Sequence, residues 1–298
     1  MTVQDALERA KRMAQARRRE DSAAAGAGAP YRQNDRLPVP PTPVPQAAYA
    51  PTEQRKQELP KFEFTPYDVD QCIRSRVLVP EMRVQGESQG AAAYRILRAR
   101  LLQKIRGGKW VTIGLTSPGP SEGKSLTALN LALTIAAEGN NDVFLLDLDL
   151  RNPSVARYLG VTPSHSIADC LAGKCRPQDV LFSVGVANLT LGTSAANNSQ
   201  ASELLASGRL FELLAYIREV STRPLIMIDM PPVLNTDDAL VLAPQVDAML
   251  MVVGEGRTRR DGLNRATELL SEFNLAGIVL NHSRETVQDY YVGNYGAG

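Results

Sequence analysis

From about residue 77 onward, short apolar runs alternate with stretches of helical period. The runs are WVTIGLT (110–116), VFLLDLDL (143–150), NLTLGTS (188–194), PLIMIDM (224–230), DAMLMVVG (247–254) and AGIVLN (276–281). Most are continuous rather than alternating, the pattern of strands covered on both faces. In the intervening KSLTALNLALTIAAEG, Leu126, Leu129, Ala132, Leu133 and Ala136 recur at helical spacing, and Gly139 is placed to end the helix. Strand–helix alternation with buried strands predicts an α/β fold of three layers, a mostly parallel sheet with helices on both sides.

The chain before that point reads differently. Residues 1–20 have the spacing of one helix, with Ala6, Leu7, Ala10, Met13 and Ala14 on a weakly apolar face. Arg9, Lys11, Arg12, Arg17, Arg18 and Arg19 cover the rest. The apolar face is mostly alanine, which suits a solvated or partner-docking helix better than one lying on a membrane. AAAGAGAP and LPVPPTPVPQAAYAP follow, too poor in large apolar residues to offset their ordering entropy. The expected organisation is an N-terminal helix and disordered Pro/Ala-rich linker over 1–76, a single domain over 77–285, and a flexible tail over 286–298. The last residues, ETVQDYYVGNYGAG (285–298), have no apolar period.

Composition narrows the function. A formal net charge of +1 gives no reason to expect nucleic acid as a partner. No apolar stretch approaches the roughly 20 residues of a membrane span, and the start lacks the apolar core of a secretory signal. The cytoplasm is the expected compartment. Three cysteines, Cys72, Cys170 and Cys175, without CxxC spacing, and two histidines, His165 and His282, do not make a zinc or redox motif.

The chemistry gathers at strand ends. WVTIGLT runs into SPGPSEGKS and then directly into the helical stretch, the strand–loop–helix order of a phosphate-binding P-loop. Backbone N–H groups of such a loop and of the helix start face phosphate oxygens. Gly123 admits close backbone approach, Lys124 reaches the β- and γ-phosphates, and the Ser125 hydroxyl holds Mg²⁺. Pro120, Ser121, Glu122 and Leu126 complete the expected nucleotide-contacting stretch. One departure from the strict pattern is Pro118, where a glycine is usual. Asp147 and Asp149 close the strand VFLLD and its extension, and Asp229 closes PLIMID. In an open α/β sheet, ligands sit beyond the carboxyl ends of the strands, so these carboxylates face the phosphates and their metal.

Together these segments resemble the bacterial tyrosine kinases, P-loop enzymes unrelated to the eukaryotic protein kinases. PSEGKS (120–125) is similar to their Walker A motif, DLDLRNP (147–153) to Walker A′ and IDMPP (228–232) to Walker B. ASELLAS (201–207) and VVGEGRTRRD (252–261) are similar to further family segments, and the resemblance runs from about Ala91 to Asn281. The separate cytoplasmic form, above all that of exosortase-associated polysaccharide systems, looks closest. The resemblance implies an ATP- and Mg²⁺-dependent protein-tyrosine autokinase that regulates exopolysaccharide synthesis and export. In that scheme Lys124 and Mg²⁺ neutralise the transferring phosphoryl group. Ser125 and Asp229 serve the metal with Asp147 beside them, Asp147 orients or deprotonates the tyrosine, and Asp149 supports the metal side. Asn281 contacts the adenine, and Tyr290, Tyr291 and Tyr295 accept phosphate. Arg95 and Arg98 match two positions of the family's oligomer helix, whose glutamate position is Ala92 here.

The implied partners are further copies of the chain, a membrane activator of the chain-length-determinant type that recruits it to the inner face of the plasma membrane, and a cognate tyrosine phosphatase. Two other readings stay open at this point. One is an ATP-binding regulator of such a membrane protein without tyrosine transfer. The other is a partitioning-type ATPase, whose second P-loop lysine would fall at Gly119.

Overall fold

A computed structural model describes residues 59–80, 89–194 and 198–283. The expected N-terminal helix, the Pro/Ala-rich linker and the tail tyrosines lie outside the described residues.

In chain order the described elements are β1 (Glu63–Phe64), α1 (Val69–Arg74), α2 (Gln89–Gly108), β2 (Thr112–Thr116), α3 (Lys124–Ala136), β3 (Asp142–Asp147), α4 (Val155–Leu159), α5 (Ile167–Leu171), β4 (Leu181–Ser183) and β5 (Leu189–Gly192). They continue with α6 (Ala201–Leu205), α7 (Arg209–Val220), β6 (Pro224–Asp229), α8 (Asp238–Leu242), β7 (Ala248–Gly254), α9 (Arg260–Leu269) and β8 (Leu275–Asn281). The strands form one eight-stranded sheet in the order β1-β4-β5-β3-β6-β2-β7-β8. Every pairing is parallel except β4 with β5.

The continuous apolar runs have the expected cause. Along β3, Val143 and Leu145 enter a core shared with α2, α3 and α4, whereas Phe144 and Leu146 enter a second core beneath α7 and α9. Successive residues of one strand thus feed opposite layers, and each large side chain so buried contributes about 1.5–3 kcal/mol. The helix α3 runs between the sheet and its neighbours and is buried on nearly every side, which accounts for its Leu/Ala/Thr composition. Asn130 within it is satisfied, since its Oδ1 accepts from Leu78 N at 2.8 Å and its Nδ2 donates to Arg76 O at 3.1 Å. Gly139 takes a left-handed φ of 71° just past the helix, where its position predicted the stop.

Two features depart from the pattern. The strand β8 lies at the sheet edge, and Ile278 and Leu280 on it are 37% and 46% exposed. The boundary expected at residue 77 also falls too late. Phe62 packs edge-on against Phe144 with ring centroids 6.3 Å apart, β1 pairs with β4, and Cys72 of α1 is fully buried. A few well-placed apolar residues anchor residues 59–76 to the domain despite their linker-like composition.

Candidate phosphate and acceptor site

Strand order sets the site. The strand β2 lies between β6 and β7, and β6 lies beside β3, so the carboxyl ends of β3, β6 and β2 are neighbours. Register makes Asp229 the partner of both Asp147 and Leu115. The loop from Ser117 to Gly123 leaves β2 at that end and enters α3. Its left-handed residues are Ser121, at φ 60°, and Gly123, at φ 85°. A side chain at Gly123 would also meet Asn281 Nδ2, which lies 2.1 Å from where its Cβ would stand. Pro118 needs no glycine-like backbone, and its carbonyl accepts from Leu234 N at 3.3 Å. Val233 N donates to Ser117 O at 2.9 Å, so the segment after β6 braces the loop from below.

Charge is concentrated behind this loop. Lys124 Nζ lies 2.8 Å from Asp149 Oδ2 and 3.3 Å from Asp229 Oδ1, and donates to Ser125 Oγ at 3.1 Å. All four residues are buried. Burial disfavours the ammonium, but Asp229 and Asp149 outweigh it and hold the Lys124 pKa above the ordinary lysine value. Burial raises the Asp229 pKa, with Lys124 and Ser125 opposing the rise. Its Oδ2 is buried without a hydrogen-bond partner among the described residues.

Asp147 belongs to the same end but is turned differently. Its Oδ2 accepts from Ser154 N at 2.8 Å and Val155 N at 3.0 Å, capping the start of α4, and its Oδ1 accepts from Asp149 N at 3.3 Å. Burial and the neighbouring Asp229 carboxylate push its pKa up to about 7, against the lowering effects of those amides and Lys124. The structure therefore brings Lys124, Ser125, Asp149 and Asp229 into direct contact, with Asp147 alongside as their buried neighbour. No group of three or more His, Cys, Asp or Glu side chains among the described residues has the arrangement of a metal cage.

Sequence reasoning missed the brace on the acidic loop. Arg151 Nε donates to Asp238 Oδ2 at 2.6 Å, and its Nη2 reaches Asp238 Oδ1 at 3.3 Å and Ser202 Oγ at 3.0 Å. Ser202 also donates to Asp238. This fork ties the loop after β3 to the starts of α6 and α8, 51 and 87 positions away in sequence. The only forewarning was that DLDLR, ASELL and the DD of NTDDAL each carry a polar group at an element boundary.

The remaining expected site residues are placed as follows. Asn281 ends β8 and its Nδ2 donates to the Glu122 carbonyl at 2.9 Å. Glu122 is buried, and its carboxylate faces the turn after β7. Pro120 and Ser121 lie in the loop, and Leu126 sits in the first turn of α3, half-buried. On α2, Arg95 is exposed, and Arg98 is half-buried and bonded within the chain. Its Nε sits 2.8 Å from Glu138 Oε1, a charge pair without an aligned hydrogen bond, and its Nη1 donates to Thr134 O at 3.2 Å.

Comparison with known proteins agrees with this geometry. The family model "ParA: NUBPL iron-transfer P-loop NTPase" matches residues 113–290, more than half of the chain. The chain belongs to the ParA-type P-loop NTPase family. Among relatives of this NTPase is the tyrosine-protein kinase YwqD of Bacillus subtilis (strain 168), 28% identical over 70% of this chain and 88% of the relative. The succinoglycan biosynthesis transport protein ExoP of Rhizobium meliloti (strain 1021) is 29% identical over 70% of this chain. The chain spans only 26% of ExoP, so the longer relatives carry much that has no counterpart in the aligned region. Among solved structures, the VpsO kinase domain superposes with a TM-score of 0.59 at 29% identity, covering 72% of this chain and 98% of that domain. Most of the relatives are thus named tyrosine-protein kinases, and ExoP is named for succinoglycan biosynthesis and transport. Among the described residues no helix is long and apolar enough to cross a membrane.

Proposed function

We propose that this ParA-type NTPase is an ATP-dependent protein-tyrosine kinase that phosphorylates its own C-terminal tyrosines and regulates exopolysaccharide synthesis and export. The observation that carries the reading is the convergence of Lys124, Ser125, Asp149 and Asp229 behind the P-loop, with Asp147 beside them. The kinase names of its relatives support the same reading.

In this mechanism Lys124 leaves its two carboxylates for the β- and γ-phosphates when the nucleotide arrives. The loop and α3 amides hold the phosphate oxygens, a positioning role that suits the loose transition state of phosphoryl transfer. Mg²⁺ fits this site. Asp229 Oδ2 has no hydrogen-bond partner among the described residues and the Ser125 hydroxyl lies in the same cluster, an oxygen set that a hard cation prefers. Ser125 would hold the ion and Asp229 its water shell, and the ion would supply further neutralisation of phosphate charge. Asp147 suits the acceptor side. Its Oδ1 takes one amide hydrogen bond and keeps a lone pair for a tyrosine hydroxyl, and a pKa of about 7 suits a base working near neutrality. The tyrosine oxygen bonds to the γ-phosphorus, the bond from that phosphorus to the β-phosphate oxygen breaks, and the phenolic proton passes to Asp147.

Tyr290, Tyr291 and Tyr295 are the proposed acceptors, with transfer from one copy of the chain to another. Arg95 on α2 belongs to the contact between copies. A membrane protein of the chain-length-determinant type would recruit the chain to the inner face of the plasma membrane and activate it, and a tyrosine phosphatase would reset it. A partitioning ATPase is the weaker reading, because Gly119 stands where such proteins carry a second lysine. The test is phosphotyrosine formation by the full chain with Mg·ATP, with and without the cytoplasmic segment of a candidate activator. ATP binding without any phosphotyrosine in either condition would replace the kinase with an ATP-gated regulator.

A further inference from the structure

The phosphate loop carries a buried carboxylate in its anion-binding turn, which opposes the loop's task unless the charge is directed elsewhere. Glu122 is only 4% exposed, and its bonds show where the charge goes. Its Oε2 accepts from Gly254 N at 2.6 Å and from the Thr258 hydroxyl, and its Oε1 accepts from Gly119 N at 3.2 Å. The carboxylate therefore crosses to the turn between β7 and α9, where donors rather than a cation satisfy it. The clasp is doubled, because Arg257 Nη1 donates to Ser121 O at 2.8 Å. The Glu122 carbonyl in turn holds Asn281 Nδ2 at the end of β8. One residue thus joins the loop after β2 to the ends of two further strands.

The Asn281 bond has a chemical consequence. With its amide nitrogen donating to Glu122, Asn281 presents Oδ1 to a ligand as an acceptor. A 6-amino purine donates to such an oxygen, whereas the oxygen of a 6-oxo purine is repelled by it. We propose that Glu122 is a positioning residue that sets nucleotide affinity and the preference for 6-amino over 6-oxo purines, acting through Gly254, Thr258 and Asn281. This rests on the reading of the loop as an ATP site with the base at Asn281.

The test is calorimetric titration of the full chain with Mg·ATP and Mg·GTP, below the melting temperature of every variant. Glu122→Gln keeps the shape but turns an NH₂ toward a donor in either orientation, Gly119 N in one and Gly254 N with Thr258 in the other. It is expected to weaken ATP binding about tenfold and to lower the ATP:GTP preference by a similar factor. Thr258→Ala, which lies outside the loop, is expected to weaken ATP binding about threefold, and Thr258→Ser to restore it. If Glu122→Gln and Thr258→Ala lower the melting temperature yet keep wild-type affinity and the wild-type ATP:GTP ratio, Glu122 is only a structural strut and the proposal is wrong. Equal binding of both nucleotides by the wild-type chain overturns the purine preference. Binding of neither overturns the ATP reading itself, and this proposal with it.

Discussion

The loop after β2 and the loop after β3 emerge from one end of the sheet, on either side of β6, yet they are held by different means. The phosphate loop is held largely through backbone atoms. Carbonyls of Ser117, Pro118, Ser121 and Glu122 accept from residues of three other segments, and its cation faces inward to Asp149 and Asp229. The acidic loop is held by side chains. Asp147 caps α4 and Arg151 forks onto Asp238 and Ser202. A loop braced largely at its backbone, with the Glu122 carboxylate clasping the turn after β7, keeps its N–H groups aimed at an anion. A loop braced by side chains can present a carboxylate to a second substrate, but only while its distant partners hold. The first arrangement suits the bound nucleotide and the second suits the acceptor.

The largest expected effect breaks the first loop's link to the second. Lys124→Ala removes the cation that pairs with Asp149 and Asp229 and the contact proposed for the γ-phosphate. Phosphotyrosine formation should fall about a thousandfold, read from initial rates by quantitative mass spectrometry. The nucleotide-free chain should also lose about 3–5 kcal/mol in denaturant unfolding, because two buried carboxylates are left without their partner.

Asp147→Asn sharpens the contrast from the acceptor side. Tyrosine phosphorylation should fall about a hundredfold while ATP affinity changes little, since the substitution leaves the phosphate loop untouched. A parallel loss of ATP affinity would place Asp147 on the nucleotide side instead. The same residue sets a pH dependence. Its folded pKa of about 7 lies above the ordinary 3.8, so between those values the folded state binds more protons than the unfolded one. Stability of the nucleotide-free, metal-chelated chain should therefore decline as pH rises across that window, and Asp147→Asn should flatten the decline.

The brace on the acidic loop comes next. Arg151→Ala strands the buried Asp238 carboxylate and should cost about 1–3 kcal/mol, with Arg151→Lys recovering part of it because a lysine cannot form the fork. The smallest effect is expected on α2. Arg98→Ala removes a partly exposed pair with Glu138 and should change the unfolding free energy by less than about 1 kcal/mol.

What could be read from the sequence follows the same division. The phosphate loop announces itself locally, because GKS at the junction of an apolar strand and a helix is a contiguous signal. The six long strands were legible as uninterrupted apolar runs, and their acidic ends followed from strand direction. β1 and β4 were not, being only two and three residues long and lacking any period. The anchoring of residues 59–76 depended on single contacts such as Phe62 with Phe144, which composition averages away. The fork from Arg151 to Asp238 spans 87 positions and the clasp of Glu122 onto Thr258 spans 136, and no local pattern announces pairs so distant. Asp147 was legible as a strand-end carboxylate, but its three amide partners and shifted proton affinity depend on a helix start that only the folded chain supplies.

The most direct test of the central claim mixes two defective chains. The first carries Tyr290→Phe, Tyr291→Phe and Tyr295→Phe and keeps its site; the second carries Lys124→Ala and keeps its tail. With Mg·ATP and the activator segment, the account predicts phosphate on Tyr290, Tyr291 or Tyr295 of the Lys124→Ala chain, and none when that chain is incubated alone. An unmodified tail in the mixture, with ATP still bound by the first chain, would contradict the assignment of these loops to tyrosine phosphorylation.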